Sequence, residues 1–142
     1  MAGSRASVIW LMQDANERDF PALSMASILL AEDDSSLRGF LKRALERAGH
    51  DVIDCENGDD AIVALEQTGF DLLLTDIVMP GADGIEVPRV ASARYPAMKI
   101  MFISGFAAVA LTAAQSTPQA KVLAKPVHLR DLVDEVDRMI AA

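Results

Sequence analysis

The stretch Ile28-Leu29-Leu30-Ala31-Glu32-Asp33-Asp34 decides the fold: an apolar run with no polar break stops at three consecutive acids. A short run without alternation is the pattern of a strand buried on both faces, as in a parallel sheet. Three later runs follow the same rule with different endings. Asp71-Leu72-Leu73-Leu74-Thr75-Asp76 ends on another acid, Ile100-Met101-Phe102-Ile103-Ser104 on a hydroxyl, and Val122-Leu123-Ala124-Lys125-Pro126 on an ammonium. Carboxylates at the ends of buried strands can converge on one divalent cation. Acids, a hydroxyl and an ammonium together are the inventory for holding a phosphoryl group on a carboxylate.

Helix signals fill the gaps between these runs. Leu37, Phe40, Leu41, Ala44, Leu45 and Ala48 recur at helical spacing. Ser35 and Ser36 are available as caps, Gly49 is a stop, and Lys42, Arg43, Glu46 and Arg47 lie on the wet face. Asp51 to Cys55 reads as a second strand, and Asn57-Gly58 turns into a helix over 59–67 stopped by Gly69. Met79-Pro80-Gly81-Ala82-Asp83-Gly84 is a loop by composition. A helix over 84–94 follows, in which Pro88 is awkward: beyond a first turn it removes a backbone bond, so the helix starts late or kinks there. Residues 106–114 suggest a short helix broken by Pro118. Leu129, Leu132, Val133, Val136, Met139 and Ile140 form the inner stripe of a last one. Five βα units with short connections predict an α/β fold, a doubly wound parallel sheet covered on both faces. Ligands of such sheets bind beyond the carboxyl ends of the strands, where all the polar endings lie.

The 142 residues suit one domain, and the 51% apolar content allows a real core. A net charge of −8 argues against nucleic acid as a partner. No apolar stretch is long enough to cross a bilayer. The lone Cys55 excludes an internal disulfide, fits a cytoplasmic setting, and reads as an inert core thiol. Residues 1–25 differ from the rest and are set apart as an extension, disordered or a non-native start, with the domain over 26–142 and Met25 as the natural beginning. The alternative is a short arm that packs Trp10 on the surface.

Glu32-Asp33, Asp76, Met79-Pro80-Gly81 with Asp83-Gly84, Ser104-Gly105 and Lys125-Pro126, in this order and spacing, resemble the receiver domain of bacterial two-component response regulators from about residue 26 onward. That resemblance implies a CheY-like (flavodoxin-like) five-stranded sheet in the order 2-1-3-4-5. It implies that Asp76 is the phosphoacceptor and that Mg²⁺ is held by Glu32, Asp33, Asp76 and the backbone carbonyl of Val78. It further implies that Lys125 pairs with a phosphoryl oxygen, that Ser104 offers its hydroxyl to another, and that the Lys125-Pro126 bond is cis. The chemistry is coherent: a carboxylate can attack phosphorus, and phosphoryl transfer asks a protein for positioning and charge neutralisation. Such a chain is not an enzyme but a phosphoacceptor that assists its own phosphorylation and dephosphorylation. Its phosphodonor would be a histidine phosphotransferase or histidine kinase.

Among the remaining polar residues, Asp34 reads as a helix cap or a solvated side chain, and Asp71 and Asp83 as turn residues. His50, after a helix-ending glycine, reads as a solvent-facing loop residue. His128 lies ahead of the last helix, where a partner-facing role is one reading. Departures from the family pattern carry weight. Val122 stands where many receivers have an aromatic ring that turns inward on phosphorylation, so that coupling cannot operate here in that form. Val78 and Phe106 border the path of an attacking water and cannot orient it, which predicts slow self-hydrolysis.

The stretches Gly105 to Leu111 and Lys125 to Val136 narrow the resemblance to single-domain regulators of the CpdR type, which implies an adaptor delivering substrates to a ClpXP-type protease, with ClpX as output partner. Two rivals remain: a relay intermediate or phosphate sink without an output partner, and a small Mg²⁺-dependent aspartyl-phosphate phosphatase. The last is disfavoured because Val78 occupies the position where such hydrolases carry an acid–base carboxylate.

Overall fold

The computed structural model describes residues 25–77, 85–104 and 120–141. Five strands, β1 (Ser27–Ala31), β2 (Asp51–Cys55), β3 (Leu72–Asp76), β4 (Lys99–Ser104) and β5 (Lys121–Ala124), form one sheet in the order β2-β1-β3-β4-β5. Every neighbouring pair is parallel. The described helices are α1 (Ser35–Arg47), α2 (Gly58–Gln67), α3 (Glu86–Arg94) and α4 (Leu129–Ala141). The expected helix over 106–114, the Met79 to Gly84 loop and the extension ahead of residue 25 lie outside the described residues.

The unbroken apolar runs are explained by the two cores. Side chains alternate across a strand. In β1, Ile28 and Leu30 enter the layer with Leu41 and Leu45 of α1 and Leu132 and Val136 of α4. Leu29 and Ala31 enter the opposite layer with Ala61 and Leu65 of α2 and Val87 and Ala91 of α3. Both positions are dry, so the sequence shows no period of two. The edge strand β2 shows the alternation that a half-covered strand must have, with Val52 buried between exposed Asp51 and Ile53.

Local chemistry sets the helix ends. Asp34, not Ser35 or Ser36, caps α1: its Oδ1 accepts the Leu37 N–H at 3.0 Å, while both serines sit inside the first turn. Gly49 ends α1 with φ of 101°, a conformation that glycine adopts at little cost. Asn57 caps α2 through the Asp60 N–H at 2.7 Å. The helix α3 starts late, at Glu86, which makes Pro88 its third residue, where a backbone N–H has no intrahelical partner to lose.

Two sequence expectations need correction. Phe40 has the spacing of a core residue but is 46% exposed, because α1 turns that position outward, away from α4 and the sheet. His50 is not a solvent-facing loop residue: it is buried, with Nδ1 accepting the Ala26 N–H at 3.2 Å and Nε2 lying 3.0 Å from Asp137 Oδ1. Because Nδ1 accepts, Nε2 carries the proton and donates to Asp137. With both nitrogens bonded, the imidazole ties the entry of β1 to α4 without an unsatisfied polar atom.

Candidate functional site

The parallel register brings four strand ends side by side. Ala31 of β1 pairs with Thr75 of β3, Asp76 of β3 with Ile103 of β4, and Ser104 of β4 with Ala124 of β5. Glu32 and Asp33 follow β1, Asp76 ends β3, Ser104 ends β4, and Lys125 follows β5. One carboxylate oxygen from each of Glu32, Asp33 and Asp76 lies within 4.8 Å of the other two. Lys125 Nζ donates to Asp76 Oδ2 at 2.8 Å and lies 3.4 Å from Glu32 Oε1. Asp76 and Glu32 are almost fully buried, at 5% and 1%, whereas Asp33 faces solvent. Ser104 is buried at the same rim, and its carbonyl accepts the Lys125 N–H at 2.9 Å. The Lys125-Pro126 bond is cis.

Electrostatics follow from burying like charges together. Burial chiefly pushes the Glu32 carboxyl from its ordinary 4.5 up to about 7; the Asp34 N–H and the Lys125 charge work against this, and the Asp76 charge adds to it. Burial pulls the Lys125 ammonium down, but its hydrogen bond to Asp76 and the charges of Asp76 and Glu32 win and hold it above its ordinary 10.5. Among the described residues, one ammonium, that of Lys125, stands within 3.4 Å of two buried acids. Glu32 Oε1 is also buried without a hydrogen-bond partner. Three clustered carboxylates, one with a buried oxygen that makes an ion pair but no hydrogen bond, fit a hard divalent cation, which takes oxygen donors.

Glu32, Asp33, Asp76 and Lys125 are thus brought together, with Ser104 on the adjoining strand end. The expected Val78 carbonyl ligand, and Phe106 beside the water path, lie outside the described residues. Asp71 sits at the opposite end of the sheet, where its Oδ2 accepts the Ser27 N–H at 2.8 Å. Val122 is half-buried on β5, and His128 is exposed ahead of α4, where its carbonyl accepts the Leu132 N–H. Burial also holds the half-buried Cys55 thiol up at about 11, with the Asp60 and Asp54 charges adding to the effect, as an unreactive thiol requires.

Sequence reading missed the cations behind the pocket. Arg38 Nη1 donates to the Glu32 carbonyl at 2.8 Å, and its Nε donates to Asp54 Oδ2 at 3.2 Å. Lys42, assigned to the wet face, reaches Asp54 Oδ1 at 3.1 Å. The available signal was two cations four residues apart on the helix that follows the acids.

Fold and site together define a class. Residues 28–137 match the response regulator receiver domain, and the chain belongs to that family. It is 56% identical over 119 residues to the response regulator receiver protein CpdR of Brucella abortus, covering 83% of this chain and 99% of that one. A solved response regulator receiver protein from Sinorhizobium medicae superposes with a TM-score of 0.77 at 34% identity, over 84% of this chain and 98% of the other. The sensor kinase CckA of Brucella abortus is 34% identical over 120 residues, which is 81% of this chain but 12% of the kinase. The chain likewise spans 24% or 25% of the longer DNA-binding regulators it matches. Among the described residues, no helix is long and apolar enough to cross a membrane.

Proposed function

We propose that this receiver takes a phosphoryl group on Asp76 with Mg²⁺ held by Glu32, Asp33 and Asp76, and signals by protein contact that depends on that modification. The single observation carrying the reading is the placement of Asp76: a buried carboxylate at a strand end, 2.8 Å from an ammonium and clustered with two further acids. Bound Mg²⁺ would supply the positive charge that lets a pocket of three acids accept an anionic phosphoryl group. The chain's own residues do the rest. The β3 backbone fixes the nucleophilic carboxylate, Lys125 is poised to move from Asp76 Oδ2 to a phosphoryl oxygen, and Ser104 offers its hydroxyl at the neighbouring strand end. The Val78 carbonyl completes the proposed ligand set.

Phosphorylation adds up to two negative charges at this rim, biasing the rim between two arrangements. The phosphodonor is a histidine phosphotransferase or histidine kinase; likeness to part of the sensor kinase CckA supports placing the chain in such a relay. The 56% identity to CpdR over nearly that protein's full length supports an output by contact, as an adaptor for ClpXP-type proteolysis in the cytoplasm. A pull-down from lysate with wild type and Asp76→Ala, each with and without a phosphoryl mimic, tests this. Capture of the protease component ClpX in one phosphorylation state supports the adaptor. Rapid return of phosphate to a phosphotransferase, with no state-dependent capture, identifies a phosphate sink instead.

A further inference from the structure

We propose that Arg38 is a positioning residue for the acidic pocket: its guanidinium locks the Glu32–Asp33 peptide so that both carboxylates are aimed at one cation. This role rests on the Mg²⁺ reading above and belongs to a residue outside the ligand set.

The loop that leaves β1 is held by most of its polar groups. Glu32 N–H donates to the Cys55 carbonyl at 3.1 Å, and Glu32 Oε2 accepts the Asp34 N–H at 3.0 Å. The Asp34 carbonyl accepts the Arg38 N–H at 2.8 Å, and its side chain caps α1. The peptide unit that joins Glu32 to Asp33 lies between these anchors, and its carbonyl is the atom that Arg38 Nη1 holds at 2.8 Å. Releasing that carbonyl would let Asp33 swing relative to Glu32.

Arg38 is itself fixed. Its side chain is 16% exposed, and Asp54 grips its Nε while also taking Lys42 on the other oxygen. Burial pushes the Asp54 carboxyl up, but the Lys42 and Arg38 contacts win and keep it below its ordinary 3.8, so the anchor stays charged. A planar guanidinium donates to a carbonyl and a carboxylate at once from a rigid fork, whereas the donors of an ammonium rotate on a flexible stem. Magnesium demands near-octahedral geometry and tolerates little angular error, so the orientation of the peptide bears directly on affinity. Removal of groups that orient metal ligands costs about 10–100-fold in metal affinity.

The test is a calorimetric Mg²⁺ titration of the full chain as wild type, Arg38→Met, Arg38→Lys, Asp54→Asn and Asp33→Asn, with metal-free melting recorded for each. The expected result is a Mg²⁺ dissociation constant about tenfold or more higher for Arg38→Met. Arg38→Lys should not restore it, Asp54→Asn should shift it in the same direction, and Asp33→Asn should abolish binding. Phosphorylation from a small acyl phosphate should show a raised half-saturating Mg²⁺ concentration with an unchanged maximal rate, a split that general destabilisation does not produce. Wild-type affinity in both Arg38→Met and Asp54→Asn, or full recovery in Arg38→Lys, overturns the inference while leaving the pocket reading intact provided that Asp33→Asn has lost binding. Wild-type affinity in Asp33→Asn overturns both.

Discussion

Replacing Glu32 by glutamine isolates the cost of burying its carboxylate. In the folded chain the Glu32 carboxyl is raised, chiefly by burial, from 4.5 to about 7. A carboxyl raised on folding binds its proton more tightly in the native state, so native stability falls as pH climbs through the interval between the two values. The contribution is fully favourable below pH 4.5 and is lost by about pH 7, and the rise is equivalent to about 3 kcal/mol. Asp54 has the opposite sign, because a depressed carboxyl loses stability only as pH falls below its ordinary 3.8, outside this window. Urea denaturation in metal-free buffer at about pH 5 and about pH 8 reads the effect. Wild type should lose about 2–3 kcal/mol more than Glu32→Gln between the two conditions, because a pH of about 5 already lies above the unfolded value. Added Mg²⁺ should return the loss at the higher pH, because a ligand that binds only the native state stabilises it. Parallel pH dependence of the two chains would refute the claim that burial opposes the charged form of this carboxyl.

Lys125→Met should lower metal-free stability by about 2 kcal/mol, since it removes a charged hydrogen bond from buried Asp76, and calorimetric melting should show Mg²⁺ recovering most of the loss. His50→Leu should cost about 2 kcal/mol in urea denaturation, because the buried Ala26 N–H loses its acceptor. Gly69→Ala should cost about 1–3 kcal/mol by the same measurement: an added Cβ would stand 2.9 Å from the Tyr95 ring, which cannot retreat while its hydroxyl donates to the Leu65 carbonyl at 2.7 Å. Val78 and Phe106 predict a phosphoryl lifetime far longer than seconds, read by the decay of labelled protein, with decay within seconds as the contrary result.

Much of this molecule was legible because its strands are buried on both faces. Unbroken runs such as Leu72-Leu73-Leu74, too short for a helix of ordinary length, fit a doubly covered strand and little else, and a chemistry-bearing residue at the end of each run has to lie on one rim of a parallel sheet. What escaped was set by contacts across the fold. Periodicity could not place Phe40, because α1 has more apolar positions than its seat between sheet and α4 can cover. Composition could not place His50, because its burial depends on Asp137, 87 residues away, supplying the second hydrogen bond. The cap of α1 was legible, since Asp34 offered itself beside Ser35 and Ser36, and its carboxylate accepts the Leu37 N–H. Arg38 was passed over because a cation on an amphipathic helix reads as solvated until the end of β2 is placed beside it.

The signalling role depends above all on Asp76 as the acceptor. Incubation of the full chain with Mg²⁺ and a small acyl phosphate, followed by intact-mass measurement, should show the gain of one phosphoryl group that Asp76→Asn and removal of Mg²⁺ both prevent. No gain in wild type, or a gain that persists in Asp76→Asn, would contradict it.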